Sequence, residues 1–275
     1  MPILKYWGMS RVKPETRSQH YSIVQYRAGA RATVEDSISA EEPLQITLDG
    51  HPIAVVMRTP CDDLDLVRGF LLSEGVLPNL DGVTRIDLEK NQNHALVFLK
   101  DEVTVDFARH QRNLYSASSC GICGKATIDS IRQNHPRVMG EFSVKSEVLL
   151  GLPDKLREAQ RVFESTGGLH AAGLFDSEGT LLVLREDVGR HNAIDKVLGF
   201  AGVESLDLSS VILQVSGRVS FEVMQKAHAL GVPMISAISA PTSLAVDFAQ
   251  ESGQTLIGFL RPPRFNCYAG VERIR

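Results

Sequence analysis

Between Leu169 and Leu260 the chain alternates short apolar runs with helix-patterned stretches, and this alternation constrains its fold more than any other feature. The apolar runs fall at 169–175, 181–184, 211–215, 232–238 and 255–260, and helical patterns fill 191–200, 219–230 and 242–251. Strands that alternate with helices build an α/β layer arrangement, a sheet with helices over both faces. Only Asp176-Ser177-Glu178-Gly179 parts the first two runs, which predicts an antiparallel hairpin and therefore a mixed sheet.

The region before this core is less regular. Residues 1–40 are polar and weakly patterned, and they are read as a variable N-terminal segment without regular structure. Leu44–Leu48 and Ile53–Met57 flank Asp49-Gly50 and predict a two-stranded hairpin. Thr59 as N-cap, Pro60 at the first helical position and Asp62 then predict a helix carrying Leu64, Val67, Phe70 and Leu71 and ending at Gly75. A short helical pattern runs from Lys125 to about Gln133, and a Gly/Pro-marked connection lies at 150–153. The expected division is a smaller N-terminal α+β portion over 41–150 and an α/β/α core over 151–275.

Composition excludes several classes of function. A formal charge of -4 and a pI near 6.1 give no overall attraction to nucleic acid or anionic membranes, so phosphate binding has to be local. Lys5 and Gly8 interrupt the apolar residues at the N-terminus, and no run of about 18 apolar residues occurs. The expected location is the cytoplasm. The four cysteines then argue against a disulfide framework and for chemistry or metal at the close pair Cys120 and Cys123.

Cys120-Gly-Ile-Cys123-Gly joins a Ser/Ala loop to a helical pattern with Lys125 nearby. A cysteine at a helix N-terminus feels the positive end of the backbone dipoles, which lowers its pKa from about 8.5 toward neutrality. Redox or sulfur-transfer chemistry, a zinc site and an inert pair all remain open on these residues. A closed zinc site needs a second ligand pair, whereas Cys61 and Cys267 are isolated and the eight histidines form no closely spaced pair. A zinc deaminase would need Pro-Cys-x-x-Cys and His-x-Glu; Ser119 precedes this pair, and the chain contains no His-x-Glu. A thioredoxin-type site would carry Trp before the pair and Pro within it, and neither is present.

The ends of the predicted strands carry anion-binding residue types, as expected where backbone N–H groups at helix starts are unsatisfied. Arg185–Asn192 follows one strand, Ser216-Gly217-Arg218 a second and Ser239–Thr242 a third. Arg190, His191 and Arg218 are the candidate phosphate contacts among them, with ordinary helix capping as the alternative at the Ser216 and Ser239 junctions. Thr166-Gly-Gly-Leu-His170 adds a polar loop entering a strand. Phe259-Leu260-Arg261-Pro262-Pro263-Arg264 closes the last predicted strand with two arginines on a stiff segment, a fork suited to phosphate oxygens.

Seven motifs in order resemble the formate dehydrogenase accessory sulfurtransferase family over nearly the whole chain after residue 40. They are Glu42-Pro-Leu44, Thr59-Pro60 with Gly69-Phe70 and Glu74-Gly75, Cys120–Gly124, Thr166–His170, Glu186–Lys196, Ser216–Arg218 and Ala240-Pro-Thr242. The resemblance implies a cytidine-deaminase-like three-layer α/β/α core with a mixed sheet and without deaminase chemistry. It also implies a sulfurtransferase that takes persulfide sulfur from a cysteine desulfurase and passes it to the molybdenum or tungsten of a bis-molybdopterin guanine dinucleotide. That cofactor is bound as substrate, a guanine nucleotide is its partial mimic, and it is destined for the catalytic subunit of formate dehydrogenase. By position, Cys120 bears the persulfide, Cys123 is a second sulfur-handling thiol and Phe259–Arg264 is the cofactor-binding stretch. A homodimer is expected, with no nucleic acid, membrane or resident metal. A chaperone that hands over the same cofactor without moving sulfur is the competing reading.

Overall fold

The structure, a computed structural model, describes residues 17–89, 93–107 and 136–275. It opens with an antiparallel hairpin of β1 (Ser18–Arg27) and β2 (Ala30–Ser39), where no regular element was expected. Most of its residues are exposed on both faces, so no apolar alternation marks it. The usable signal is the Ala28-Gly29 turn, both residues at positive φ, between segments holding Tyr21, Ile23, Val24, Tyr26, Thr33 and Val34.

β3 (Glu42–Leu48) and β4 (His51–Arg58) form the predicted hairpin, with Asp49 at φ 45° and Gly50 at φ 79° in the turn. Then follow α1 (Asp63–Ser73), β5 (Val83–Glu89) and β6 (His94–Leu99), giving a four-stranded mixed sheet of order β4-β3-β6-β5. Leu44, Ile46, Leu48 and Ile53 of this sheet pack against Leu66, Val67 and Leu71 of α1. The helix starts at Asp63 rather than at Pro60. The Thr59 N–H and hydroxyl are engaged by Asp187 and the Val188 N–H, and Cys61 (φ 114°) and Asp62 (φ 56°) sit in the left-handed half of backbone space. Thr59 therefore serves as a tether to the core and not as a cap.

The core begins with α2 (Ser146–Ala159) and the short α3 (Arg161–Thr166). The stretch at 150–153, expected as a connection, is helical because Leu149, Leu152 and Leu156 bury one stripe of α2 on the sheet, which outweighs the local cost of Pro153. β7 (His170–Phe175), β8 (Leu181–Asp187), α4 (Arg190–Val203), β9 (Ile212–Val215), α5 (Phe221–Ala229), β10 (Met234–Ala237), α6 (Ser243–Ser252), β11 (Thr255–Arg261) and β12 (Arg264–Ala269) complete the chain.

The resulting six-stranded sheet has the order β12-β11-β10-β9-β7-β8. It is mixed, with β7 and β8 antiparallel as predicted and β9, β10 and β11 parallel. Strand side chains part to its two faces with period two. Ala171, Ile212, Met234 and Ile257 meet α2, whereas Ala172, Leu213, Ile235 and Leu256 meet α4, α5 and α6, which makes three layers. The segment 259–264 does not end the sheet as expected but forms the β11–β12 corner, because β12 returns antiparallel. No helix among the described residues is long and apolar enough to cross a membrane.

Candidate functional site at one edge of the sheet

The strand register gathers the sequence-predicted junctions at one edge. His170 pairs with Asp187, Ala172 with Val215, Ala237 with Val215 from the other side, and Ser236 with Ile257. The start of β7, the end of β8 and the ends of β9, β10 and β11 therefore lie side by side, as sheet ligand sites require. Arg190, Arg218 and the 259–264 corner all emerge there.

Arg190 opens α4 behind the buried Gly189, and its Nε is buried without a hydrogen-bond partner among the described residues. It neighbours Gly217: a Cβ built there would stand 3.3 Å from His170 Nδ1 and 3.6 Å from Arg190 Cδ. Burial, and then the Arg190 guanidinium, hold His170 below the ordinary imidazole range, so the ring is neutral at pH 7. Ser216 Oγ accepts from the Ala171 N–H at 2.9 Å. Beside these residues a cleft of about 390 Å³ opens, lined by Ser216, His170 and Ile238 at the strand ends and by Arg157, Gln160, Phe163 and Gly167–Leu169 across from them. The Arg157 guanidinium lies over the Phe163 ring, 4.5 Å from its centroid.

The structure distributes the predicted residues unevenly over this edge. Arg218 is exposed, as are Phe259, Arg261, Pro262, Pro263 and Arg264, with Arg261 Nε donating to the Ile238 carbonyl at 3.2 Å. Leu260 instead points into the apolar layer under α2, so only its backbone can face a ligand. His191 is drawn inward, its Nε2 3.3 Å from Glu222 Oε2 and 3.4 Å from Ser220 Oγ. At the third junction the capping reading describes the contact, since Thr242 Oγ1 accepts from the Ala245 N–H. Cys120, Cys123 and the helical pattern after them lie outside the described residues.

Behind the edge stand two buried polar clusters that sequence reasoning did not assemble. Asp187, fully buried, accepts from the Thr59 and Gly189 N–H groups and from Asn192 Nδ2, and pairs with Lys196 Nζ at 2.7 Å. Further in, Lys226 Nζ lies 2.9 Å from both Asp195 oxygens and 2.7 Å from Glu74 Oε1, while Ser73 Oγ donates to Asp195 at 2.6 Å. Burial pushes the Asp195 carboxyl up to about 6 against the pull of Lys226 and Ser73. Burial alone would lower Lys226, but Asp195 and Glu74 hold it above the usual lysine range. The sequence signal was the run of polar and charged residues, Arg190–Asn192 and Asp195-Lys196, in the first half of one helix.

A family model described as FdhD/NarQ matches residues 39–275. The chain belongs to the FdhD/NarQ family. Two relatives named "Sulfur carrier protein FdhD" extend the FdhD/NarQ likeness over nearly full length. The one from Streptomyces avermitilis is 48% identical over 269 residues, covering 94% of this chain and 95% of that relative. The one from Sulfolobus acidocaldarius is 43% identical over 254 residues, covering 92% and 96%. The fold is shared with a solved structure of a candidate formate dehydrogenase accessory protein from Desulfotalea psychrophila, at TM-score 0.78 and 24% identity over 94% of this chain and all of that one. Read on this structure, the Glu186–Lys196 motif of the FdhD/NarQ chain combines one candidate site residue, Arg190, with the buried scaffold Asp187–Asn192–Lys196 that seats it.

Proposed function

We propose that this protein is a sulfur carrier with sulfurtransferase activity that serves formate dehydrogenase. In this reading the Cys120 thiolate attacks the outer sulfur of a cysteine desulfurase persulfide. The donor's S–S bond breaks, the donor cysteine leaves as thiolate, and Cys120 carries the sulfur onward with Cys123 as a second thiol. The acceptor is the molybdenum or tungsten of a bis-molybdopterin guanine dinucleotide held as substrate, which then passes to the catalytic subunit of formate dehydrogenase.

The observation that carries the reading is the convergence of Arg190, Arg218, Arg261 and Arg264 on one sheet edge beside an open cleft, with one guanidinium nitrogen buried and unpaired among the described residues. An unpaired buried donor costs free energy unless a ligand supplies an acceptor, and guanidinium forks match phosphate oxygens. The cleft volume is of the size that takes one nucleotide end of such a substrate. The layered sheet supports a cytidine-deaminase-like core, and the relatives named as sulfur carriers support the sulfur chemistry.

The test is intact-mass analysis after incubation with a cysteine desulfurase and cysteine. Wild type should gain one sulfur mass that Cys120→Ala lacks, while Cys120→Ala keeps binding GDP and fails to activate formate dehydrogenase. Full activation by Cys120→Ala would instead make the protein a chaperone that moves cofactor and no sulfur.

A further inference from the structure

We infer that Glu186 and Ser39 are positioning residues that clip α3 against the sheet and thereby set the far wall of the cleft. The inference rests on the reading of the cleft as a nucleotide site given above.

The last two residues of β8 point to opposite faces, as strand residues must. Asp187 turns toward α4 and the Thr59 loop, and Glu186 turns toward α3. The Glu186 side chain, 5% exposed, accepts the Val162 N–H at 3.0 Å and the Phe163 N–H at 2.8 Å, one oxygen for each. These are the second and third residues of α3, whose amides an N-cap side chain would ordinarily satisfy, yet Gln160 at the N-cap makes no such bond. The acceptor comes instead from a strand 24 residues away in sequence, so the bonds fix where α3 sits as well as capping it.

The other end of α3 is also tied. Ser39 Oγ, at the base of the first hairpin, donates to Thr166 Oγ1 at 2.8 Å, and the same Thr166 oxygen accepts the Gly168 N–H at 3.3 Å. A Cβ at Gly168 would stand 2.5 Å from Ser39 Oγ, so the loop is pressed onto this residue. Between the two ties the chain presents Phe163, Gly167 and Gly168 to the cleft and leads directly into His170. A six-residue helix has too few internal bonds to hold its own place, so these two hydrogen-bonded ties, together with the stacking of Arg157 on Phe163, determine where that wall stands. Neither Glu186 nor Ser39 touches the open cleft.

The test uses GDP as probe on the full chain, with calorimetric affinity, the unfolding midpoint and hydrogen exchange at the Val162 and Phe163 amides. Glu186→Gln is nearly isosteric but replaces one acceptor oxygen by a donor, so packing is kept and one bond is lost. It should weaken GDP binding roughly tenfold, the loss expected for one buried charge-assisted bond, with faster exchange at whichever of the two amides loses its acceptor and unaltered persulfide loading of Cys120. Ser39→Ala, on an exposed hairpin where misfolding is not a concern, should weaken binding about threefold at an unchanged midpoint, the loss of one neutral bond. Binding by both variants equal to wild type overturns the inference, as does a loss of affinity in Glu186→Gln with both amides still protected. If Glu186→Gln does not fold, Ser39→Ala decides the outcome by the same criterion. No binding of GDP by wild type refutes the nucleotide reading of the cleft itself.

Discussion

Gly69 and Gly199 face each other where α1 crosses α4, so closely that a Cβ on Gly199 would come within 2.6 Å of the Gly69 amide nitrogen and overlap the Asp65 carbonyl. A Cβ on Gly69 would overlap the Asp195 carbonyl in turn. This crossing sets the distance at which Ser73 reaches Asp195 and Thr59 reaches Asp187.

Gly199→Ala should therefore be among the most damaging single-methyl changes in the chain. Overpacking ordinarily costs about 1–3 kcal/mol, and here backbone atoms rather than flexible side chains would have to move, so a loss of at least about 3 kcal/mol is expected. Urea unfolding of the purified variant measures it. A loss below about 1 kcal/mol would show that α1 and α4 can slide apart freely.

Lys196→Ala should cost about 3–5 kcal/mol, because Asp187 would keep its buried charge with only neutral donors around it. Asp187→Asn combined with Lys196→Met removes both charges and should recover much of the loss. A double-mutant cycle in urea separates the pair's coupling from the cost of orphaning one partner.

Stability should respond to pH through Asp195. Its folded pKa of about 6 exceeds the ordinary carboxyl value of 3.8, so the native state binds a proton more readily than the unfolded chain. Stability from this group is then fully present below the unfolded value and is lost as pH rises through about 6. Lys226, Ser73, Glu74 and, through Lys226, Glu222 surround the carboxyl, and Lys226 stays charged throughout this window. Asp195→Asn should flatten the dependence between about pH 4 and 6. Equal slopes for the two proteins would place the titration elsewhere.

Anion binding at the sheet edge should take up a proton at His170. The ring is held below its ordinary 6.5 by burial and by Arg190, partly opposed by Asp187, and a phosphate placed beside Arg190 would remove that repulsion. GDP affinity should rise as pH falls from about 7.5 to 5.5, and His170→Gln should lose this slope. Calorimetry in two buffers of different ionisation enthalpy counts the proton; none taken up by wild type would mean the phosphates lie away from His170.

Much of this architecture was legible in the residues. The runs from Leu169 onward became β7 to β11 and the helices between them, because burial on two faces of a sheet writes continuous apolar stretches. The antiparallel β7–β8 pair followed from the short Asp176–Gly179 turn. Elements whose reasons lie elsewhere in the fold were not legible: β1 and β2 bury little, Pro153 is overruled by the stripe of α2, and Thr59 is taken by Asp187, 128 residues away. At the site, Arg190 and Arg218 came from strand-end logic, whereas the inward turn of His191 and Leu260 depends on packing partners that no local pattern names.

Because α1 lends Leu66, Val67 and Leu71 to one core and Gly69 and Ser73 to the other, no seam divides the two larger sheets among the described residues. A fragment carrying either sheet alone would be left with an exposed glycine groove or an unpartnered aspartate. The two larger sheets are thus committed to melt as one unit, and the candidate edge inherits its rigidity from α1, whose Asp65 holds Arg185 of β8 at 2.8 Å.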